Sequence, residues 1–396
     1  MQNTPQANRI HIAIFGRANA GKSTLLNAIT GQNTALTSPE RGTTTDPVYK
    51  AMEIAPLGAC LLIDTAGIDD DTVLGEKRIE RTRKIMDKTD IALLLLREEN
   101  LIPEKEWMKE LKNRKIPIIY VINQDGSLEK KEVEAMEQRL TREEKETAVV
   151  VNALTGEGLE TLYIQLEKKY ADLEQESSIC GHLVEAGDNV LLVMPQDIQA
   201  PKGRLILPQV QTIRELLDRN CFVHCTGAEN FIYAIRQLAK PPKLIITDSQ
   251  LFAQVAKEKP EESLLTSFSV LFSRYKGDIE EFLAGAKCLK NLKAKSRILI
   301  AEACTHKPLE EDIGRVKLPR LLRNKFGEKL KIEIVSGAEY PEDLSQYDLI
   351  IHCGACMFNR RHVLSRLARA KEQEIPITNY GVAIAALTGI LEDVVY

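Results

Sequence analysis

Gly16-Arg17-Ala18-Asn19-Ala20-Gly21-Lys22-Ser23 is the stretch that decides the fold of the N-terminal third. The apolar run 10–15 before it predicts a buried strand, and the residues after it predict a helix. In such a loop the glycines let backbone N–H groups face phosphates, Lys22 reaches the β- and γ-phosphate oxygens and Ser23 holds Mg²⁺. The strand–loop–helix setting therefore predicts a P-loop nucleotide site rather than a chance glycine-rich turn. The expected phosphate contacts are Gly16, Asn19, Ala20, Gly21, Lys22, Ser23 and Thr24.

Two later segments follow in GTPase order. The loop 42–47 contains Thr44, which we expect to bind Mg²⁺ because Gly-Thr-Thr-Thr-Asp resembles the G-T-T-R-D pattern of bacterial Era and tRNA-modification GTPases. A plain Thr-rich loop is the alternative. The apolar run from residue 61 ends in a D-x-x-G signature, in which Asp64 would act on Mg²⁺ and the Gly67 N–H would sense the γ-phosphate. The predicted catalytic residues are Lys22, Thr44, Asp64 and Gly67.

Asn19 adds a prediction about a second cation. It matches the loop asparagine that coordinates potassium in the tRNA-modification GTPases, and this resemblance implies K⁺-stimulated hydrolysis. The alternative is that Asn19 only tolerates a turn conformation.

The guanine-recognition signal is irregular. The GTPase pattern is N-K-x-D, whereas Asn123-Gln124-Asp125-Gly126 replaces Lys with Gln and brings the aspartate one residue early. That aspartate normally accepts hydrogen bonds from the guanine N1 and N2 groups. Asn152-Ala153-Leu154 resembles the usual S-A-[KL] loop. We expect these residues to contact the base, with reduced guanine affinity.

The overall composition restricts the partners. The formal net charge of −4 and the pI of about 6.0 give no basic field, so we expect no nucleic-acid partner. The longest apolar runs are far shorter than the ~18 residues of a membrane span, so no membrane partner is expected. The polar start predicts a cytoplasmic protein.

The order of apolar runs predicts an α/β fold: a P-loop GTPase domain followed by two smaller α/β parallel-sheet domains. The predicted domains are residues 1–174, 180–290 and 293–396. The middle domain has no evident catalytic constellation, so we expect it to form a homodimer. The apolar run Ser267–Phe272 predicts one of its strands. The cysteines predicted to be buried core thiols are Cys60, Cys180, Cys221, Cys225 and Cys288.

The last domain carries a cysteine and histidine constellation. Cys304-Thr305-His306 and His352-Cys353-Gly354-Ala355-Cys356 each follow an apolar run that predicts a buried parallel strand. Because ligands bind beyond the carboxyl ends of such strands, three thiolates and up to two imidazoles would share one crevice. This predicts a metal or iron–sulfur site. His352 could ligate the metal or hold a ligand by a hydrogen bond.

The segment Arg360–Lys371 predicts a basic helix behind this site. It could contact anionic cargo or an acidic partner. A solvated helix face is the interpretation we favour.

These motifs, together with the stretch Ala200–Gln211, resemble the HydF family of FeFe-hydrogenase maturation GTPases over essentially the whole chain. The resemblance implies GTPase, dimerisation and 4Fe-4S domains. It implies a scaffold that receives a diiron subcluster precursor made with two radical-SAM maturases and delivers it to apo FeFe-hydrogenase. The implied cofactors are GTP/GDP, Mg²⁺, K⁺, a 4Fe-4S cluster and the transient diiron cargo. The fourth cluster ligand stays open between His306, His352, a carboxylate and water.

Two other function classes compete with this interpretation. An RNA- or ribosome-associated GTPase would use the Cys/His set for structural zinc, but the acidic pI and the absence of a basic, aromatic-interleaved surface argue against it. A radical enzyme would need a C-x-x-x-C-x-x-C triplet, which the sequence lacks.

Overall fold

The structure is a computed structural model that describes residues 4–31, 47–67, 73–174, 178–195, 205–303, 313–337 and 339–396. The chain divides into two compact units, residues 1–176 and 177–396. Each unit is built from strands that alternate with helices. The three predicted domain boundaries stay predictions.

The first unit is a six-stranded sheet in the order β2-β3-β1-β4-β5-β6, in which β2 is antiparallel and the others are parallel. Alternation along β1 sends Ile12 and Ile14 into the core on one face and Ala13 and Phe15 into the core on the other. The strands are β1 (Ile10–Gly16), β2 (Val48–Ile54), β3 (Gly58–Asp64), β4 (Ile91–Leu96), β5 (Ile118–Asn123) and β6 (Ala148–Val151). The helices are α1 (Lys22–Thr30), α2 (Val73–Met86), α3 (Ile102–Asn113), α4 (Lys130–Glu143) and α5 (Leu159–Glu174).

The second unit contains two four-stranded parallel sheets, ordered β10-β9-β7-β8 and β12-β11-β13-β14. They share one hydrophobic core, in which Leu191 and Ile245 belong to the same cluster as Ile298 and Ile300. The strands are β7 (Asn189–Val193), β8 (Phe222–Thr226), β9 (Leu244–Thr247), β10 (Leu264–Ser267), β11 (Arg297–Ala301), β12 (Lys331–Val335), β13 (Leu349–His352) and β14 (Ile377–Asn379). The helices are α6 (Leu207–Asp218), α7 (Phe231–Gln237), α8 (Phe252–Glu258), α9 (Phe268–Lys276), α10 (Ile279–Lys287), α11 (Leu318–Phe326), α12 (Arg360–Glu372) and α13 (Tyr380–Thr388).

This architecture confirms the predicted fold class. No helix among the described ranges is both long and apolar enough to cross a membrane.

One strand prediction was wrong. Ser267–Phe272 is not a strand, because Ser267 ends β10 and its side chain accepts a hydrogen bond from the Val270 N–H, which starts α9. A short apolar run has no resolvable period, so the sequence cannot distinguish a buried strand from the first turns of a buried helix.

The core-thiol prediction holds for only some of the cysteines. Cys60, Cys180 and Cys221 are buried, as predicted. Cys225 is exposed, because it lies on β8, the edge strand of its sheet in the part of the chain that the structure describes. Cys288 is half-buried, just beyond the last turn of α10.

Helix α9, which follows the last strand of the middle sheet, makes hydrogen bonds to the last sheet. Lys276, the last residue of α9, is buried, and its ammonium donates to the carbonyl oxygens of Ala355 at 3.0 Å and Phe358 at 2.8 Å. At the other end of α9, the Ser269 carbonyl accepts from the Asn379 amide at 3.3 Å. The loop after β13 and the end of β14 are therefore both tied to α9.

Replacing Lys276 with Met should loosen the loop after β13. Two buried carbonyls would lose a charged donor, and we expect a fall of roughly 2–3 kcal/mol in the free energy of unfolding. Hydrogen exchange followed by mass spectrometry should become faster across residues 353–359. Lys371→Met is the matched control, because Lys371 is exposed and its ion pair with Glu281 lies at the surface. Equal exchange at 353–359 in the two variants would show that Lys276 does not hold this loop.

Candidate functional site

The P-loop lies between β1 and α1, and its lysine is already positioned by the loop backbone. Lys22 is buried, and its ammonium donates to the Gly16 carbonyl at 3.0 Å and the Arg17 carbonyl at 2.7 Å. Gly16 needs to be glycine because a Cβ there would come within 2.8 Å of the Leu95 carbonyl oxygen. Gly21 caps α1 in the left-handed region, at φ 91°.

A magnesium-type site is formed where α1 meets the end of β3. The Ser23 hydroxyl donates to Asp64 Oδ2 at 2.5 Å. Burial raises the pKa of the Asp64 carboxyl, and the Ser23 hydrogen bond and the Lys22 charge oppose this shift. Asp64 Oδ1 is buried and has no hydrogen-bond partner in the described part of the chain. An unpaired carboxylate oxygen beside a hydroxyl fits the oxygen ligands that Mg²⁺ prefers.

Two close contacts bring the neighbouring strand ends onto the P-loop. A Cβ at Gly67 would lie 2.7 Å from the Ala18 backbone nitrogen, so the D-x-x-G segment packs directly on the loop. A Cβ at Gly21 would lie 2.4 Å from Asn123 Nδ2, so the Asn123 side chain reaches the P-loop from β5. At Gly67 the neighbouring atom is backbone and cannot move aside, and at Gly21 the φ of 91° favours glycine.

The base-recognition segments also meet, at the carboxyl ends of β5 and β6. Asn123 Oδ1 accepts from the Ala153 N–H at 3.1 Å, and the Gln124 N–H donates to the Val151 carbonyl at 2.7 Å. The Asn152 side chain accepts from the Leu154 N–H at 3.0 Å and thereby shapes its own turn. The structure therefore places the two predicted base-binding loops side by side.

Asp125 is turned toward its own loop. Its Oδ1 accepts from the Ser127 hydroxyl at 2.5 Å and the Ser127 N–H at 3.1 Å. Its Oδ2 lies 4.0 Å from Arg97 Nη1. The Ser127 hydroxyl lowers the pKa of the Asp125 carboxyl, so Asp125 is ionised at neutral pH.

Two arginines that the sequence analysis missed hold these loops. Arg17 pairs with Glu104 at 2.6 Å and Glu98 at 2.5 Å, and the Glu104 hydrogen bond raises the pKa of Arg17. Arg97 donates to the Asn19 carbonyl as well as lying near Asp125. Their only sequence signal is a charge next to a motif, which does not reveal partners about 80 residues away in the chain.

Asn19 is exposed and has φ 58°. This left-handed conformation is compatible with both the potassium and the turn interpretations. Thr44 lies outside the described residues, so its predicted role is not tested.

The cysteine constellation lies at the carboxyl edge of the last sheet. Strands β11 and β13 are neighbours, with Ala301 opposite His352, so the segments that follow them start side by side. The Cys353 sulfur accepts from the Ala303 N–H at 3.0 Å and the Ala355 N–H at 3.4 Å. Burial raises the pKa of the Cys353 thiol to about 11. A half-buried sulfur with two backbone donors has the surroundings expected of a metal-bound thiolate.

The rest of the predicted ligand set is only partly described. Cys356 is half-buried on the same loop as Cys353. Cys304 and His306 lie outside the described residues. Among the residues that are described, no group of three or more His, Cys, Asp or Glu side chains could hold a metal ion. The two described thiols fit a cluster only if Cys304 completes the set, and this stays a prediction.

His352 has both ring nitrogens in hydrogen bonds. Nδ1 donates to the Cys353 carbonyl at 2.8 Å, so Nε2 is the acceptor and receives Arg366 Nη1 at 3.1 Å. Burial, together with the Arg366 charge, lowers the pKa of His352 to about 3. The arrangement supports the hydrogen-bonding role over direct metal ligation.

Arg366 corrects our interpretation of α12 as a solvated basic face. Arg366 is 3% exposed, and its guanidinium donates to the Gly337 carbonyl at 2.6 Å and lies 4.7 Å from the ring centroids of both Tyr340 and Phe358. One cation of the basic run is therefore part of the core. The sequence could not separate it from the half-buried and exposed cations of the same run, because burial depends on distant partners.

Three protein-family models match the chain. The model for the hydrogen maturase F dimerization domain matches residues 179–277, and that for the hydrogen maturase F tetramerization domain matches residues 280–396. A model described as 50S ribosome-binding GTPase matches residues 11–124. The chain therefore has a GTPase domain followed by two consecutive hydrogen maturase F domains.

The curated proteins that are similar to this chain include several GTPases. The tRNA modification GTPase MnmE of Thermotoga maritima is 28% identical over 243 residues, which are 55% of this chain and 53% of that protein. MnmE of Hamiltonella defensa is 33% identical over 166 residues, 40% of this chain and 34% of that protein. GTPase Der of Wolinella succinogenes is 42% identical over 92 residues, 22% of this chain and 19% of that protein. The chain thus spans about half or less of each relative.

Solved structures of Era also resemble the chain. Era in complex with MgGDPNP and a segment of 16S ribosomal RNA is 19% identical with a TM-score of 0.37, covering 58% of this chain and 97% of that one. An Aquifex aeolicus Era bound to GDP and aluminium fluoride is 19% identical with a TM-score of 0.36, covering 64% and 99%. The two hydrogen maturase F models together account for more than half of the chain, so the chain belongs to the hydrogen maturase F (HydF) family.

Proposed function

We propose that the protein is a GTP-hydrolysing scaffold and carrier in FeFe-hydrogenase maturation. It binds a 4Fe-4S cluster, receives a diiron subcluster precursor from radical-SAM maturases and delivers it to the apo-hydrogenase. The observation that carries this proposal is the order of matches, a GTPase domain followed by two hydrogen maturase F domains, on a chain with a C-x-x-C loop at a sheet edge.

The nucleotide half of the proposal rests on four described groups. Lys22 is placed to neutralise phosphate charge, and Ser23 and Asp64 supply the oxygens for Mg²⁺. Gly67 keeps its backbone against the P-loop, where its N–H can respond to a γ-phosphate. Mg²⁺, when bound, would offset the charge that develops on the phosphates.

The cluster half rests on Cys353 and Cys356, with Cys304 as the expected third thiolate. Three thiolates on a four-iron cubane leave one iron with an exchangeable position. An exchangeable position suits a carrier, because cargo can bind there and leave. The Cys353 surroundings support this role, since the Ala303 and Ala355 N–H groups would stabilise charge on a bound sulfur.

The alternative is an RNA- or ribosome-associated GTPase with structural zinc. The match of residues 11–124 to a 50S ribosome-binding GTPase model is the observation that favours it. The two hydrogen maturase F domains that follow favour the scaffold.

Changing Cys353 or Cys356 to Ala should abolish the cluster and leave GTP hydrolysis within about twofold of wild type. Lys22→Ala should abolish hydrolysis and leave the iron content unchanged, because the Lys22 ammonium is part of the P-loop, where it donates to the Gly16 and Arg17 carbonyls. The measurement is iron content and EPR spectroscopy on protein reconstituted without oxygen. About four irons per chain with a reduced 4Fe-4S signal supports the scaffold. One tightly bound zinc and no cluster would put the alternative first.

Potassium should stimulate hydrolysis when it replaces sodium at equal ionic strength. Asn19 belongs to the P-loop segment and is exposed, and a cation bound there would supply positive charge at the phosphates. We expect a rate increase of at least about tenfold, and Asn19→Ala should remove it. Equal rates in the two salts would leave Asn19 as a turn residue, which its φ of 58° also permits.

The middle sheet offers an edge for the predicted homodimer. Among the described strands, β8 has a neighbour on one side only, and Phe222 on it is 61% exposed. Tyr233 on α7 is 66% exposed. An uncovered strand edge with exposed aromatic side chains pairs readily with a second copy. The dimerization-domain match covers this segment, and the tetramerization-domain match adds a further association that we did not predict.

Phe222→Glu should weaken the dimer. A charge replaces an apolar anchor, and we expect the dimer dissociation constant to rise about tenfold or more. Light scattering coupled to size-exclusion chromatography measures the change across a dilution series. Ile164→Glu on α5, where the wild-type side chain is 57% exposed, controls for the loss of an exposed apolar residue. An unchanged dimer in the Phe222 variant would place the interface elsewhere.

A further inference from the structure

The position that should carry the guanine-reading carboxylate is a glycine. In the N-K-x-D pattern the aspartate stands three residues after the asparagine, and here that residue is Gly126. Asn123 keeps the place of the pattern asparagine, because its side chain reaches both the P-loop and the Ala153 N–H. The register is therefore fixed at Asn123, and the loop does not shift to bring Asp125 into the last position.

Asp125 is also engaged elsewhere. One carboxylate oxygen accepts two hydrogen bonds from Ser127, at 2.5 and 3.1 Å, and the other lies 4.0 Å from Arg97. Arg97 is itself fixed by its bond to the Asn19 carbonyl. Turning Asp125 toward a base would break the Ser127 contacts and move the carboxylate away from Arg97.

We propose that the nucleotide site does not read the 2-amino group of the purine, and that the protein binds and hydrolyses inosine triphosphate about as well as GTP. The inference rests on the proposed GTP hydrolysis. It extends the substrate class from guanine nucleotides to 6-oxopurine nucleotides.

The comparison of guanine with hypoxanthine, the base of inosine nucleotides, isolates the 2-amino group. Guanine and hypoxanthine share the 6-oxo group and the N1–H, and they differ only in the 2-amino group. A hydrogen bond from that amino group to a carboxylate is worth roughly 10- to 150-fold in affinity. A site without this contact loses that discrimination.

The reacting atoms are the same for both nucleotides. Water oxygen bonds to the γ-phosphorus as the bond to the β–γ bridging oxygen breaks, which gives the nucleoside diphosphate, phosphate and a proton. The base takes no part in this step. A difference in kcat/KM between the two nucleotides therefore reports on base recognition.

The test compares guanosine and inosine nucleotides on the full chain. Dissociation constants for GDP and IDP, measured by calorimetry, and kcat/KM for GTP and ITP should each agree within about fivefold. A preference for the guanine nucleotide larger than that overturns the inference. If GTP is bound but not hydrolysed, the proposed function fails while the GDP and IDP constants still decide base selectivity.

The variant Asp125→Asn tests whether the Asp125 carboxylate contacts the base. Xanthine carries an oxygen acceptor where guanine carries the 2-amino donor. If the Asp125 carboxylate accepts a hydrogen bond from that amino group, Asp125→Asn would present a donor instead and shift the preference toward xanthosine diphosphate (XDP). We expect the ratio of the GDP and XDP dissociation constants to stay within about threefold of wild type. A gain of tenfold or more for XDP shows that Asp125 contacts the base and overturns the inference.

Discussion

A strand that is buried on both faces can present polar functional groups only at its ends. This constraint determines where the functional residues lie in the sheets of this protein. The strands β1, β4 and β5 are buried along their whole length, so no polar side chain can act from their middle. The nucleotide groups follow β1, β3, β5 and β6, and the cysteine loop follows β13. Parallel pairing then brings loops that are far apart in the sequence to one edge.

Loops gathered in this way need internal support, and buried cations supply it. Lys22, Lys276 and Arg366 are each less than a tenth exposed, and each donates to backbone carbonyls of a loop near its site. A buried cation is costly unless its donors are satisfied, and irregular loops offer the free carbonyls that satisfy it. Each cation therefore fixes loop geometry that no helix or sheet hydrogen bond determines.

The sequence predicted most of the sheet architecture because long apolar runs and the P-loop pattern depend on local spacing. It also predicted that residues near Cys353 follow a strand adjacent to β11, which the register of Ala301 with His352 confirms. It could not predict Lys276, whose partner Ala355 is 79 residues away, nor the burial of Arg366 within a basic run. Residues 267–272 were wrongly predicted as a strand, because the boundary between β10 and α9 is set by the capping serine Ser267 and not by the spacing of apolar residues. The roles of Thr44, Cys304 and His306 remain predictions.

The attachment of α9 to the last sheet limits how this chain can be divided. Residues 280–396 match one family domain, yet the buried ammonium that holds the C-x-x-C loop comes from residue 276. Asn379, at the end of β14, likewise depends on Ser269. A fragment cut at the family boundary would leave these polar groups unpaired at the newly exposed surface. We therefore expect the smallest piece that keeps the cysteine loop intact to include α9, which lies outside the family boundary at residue 280.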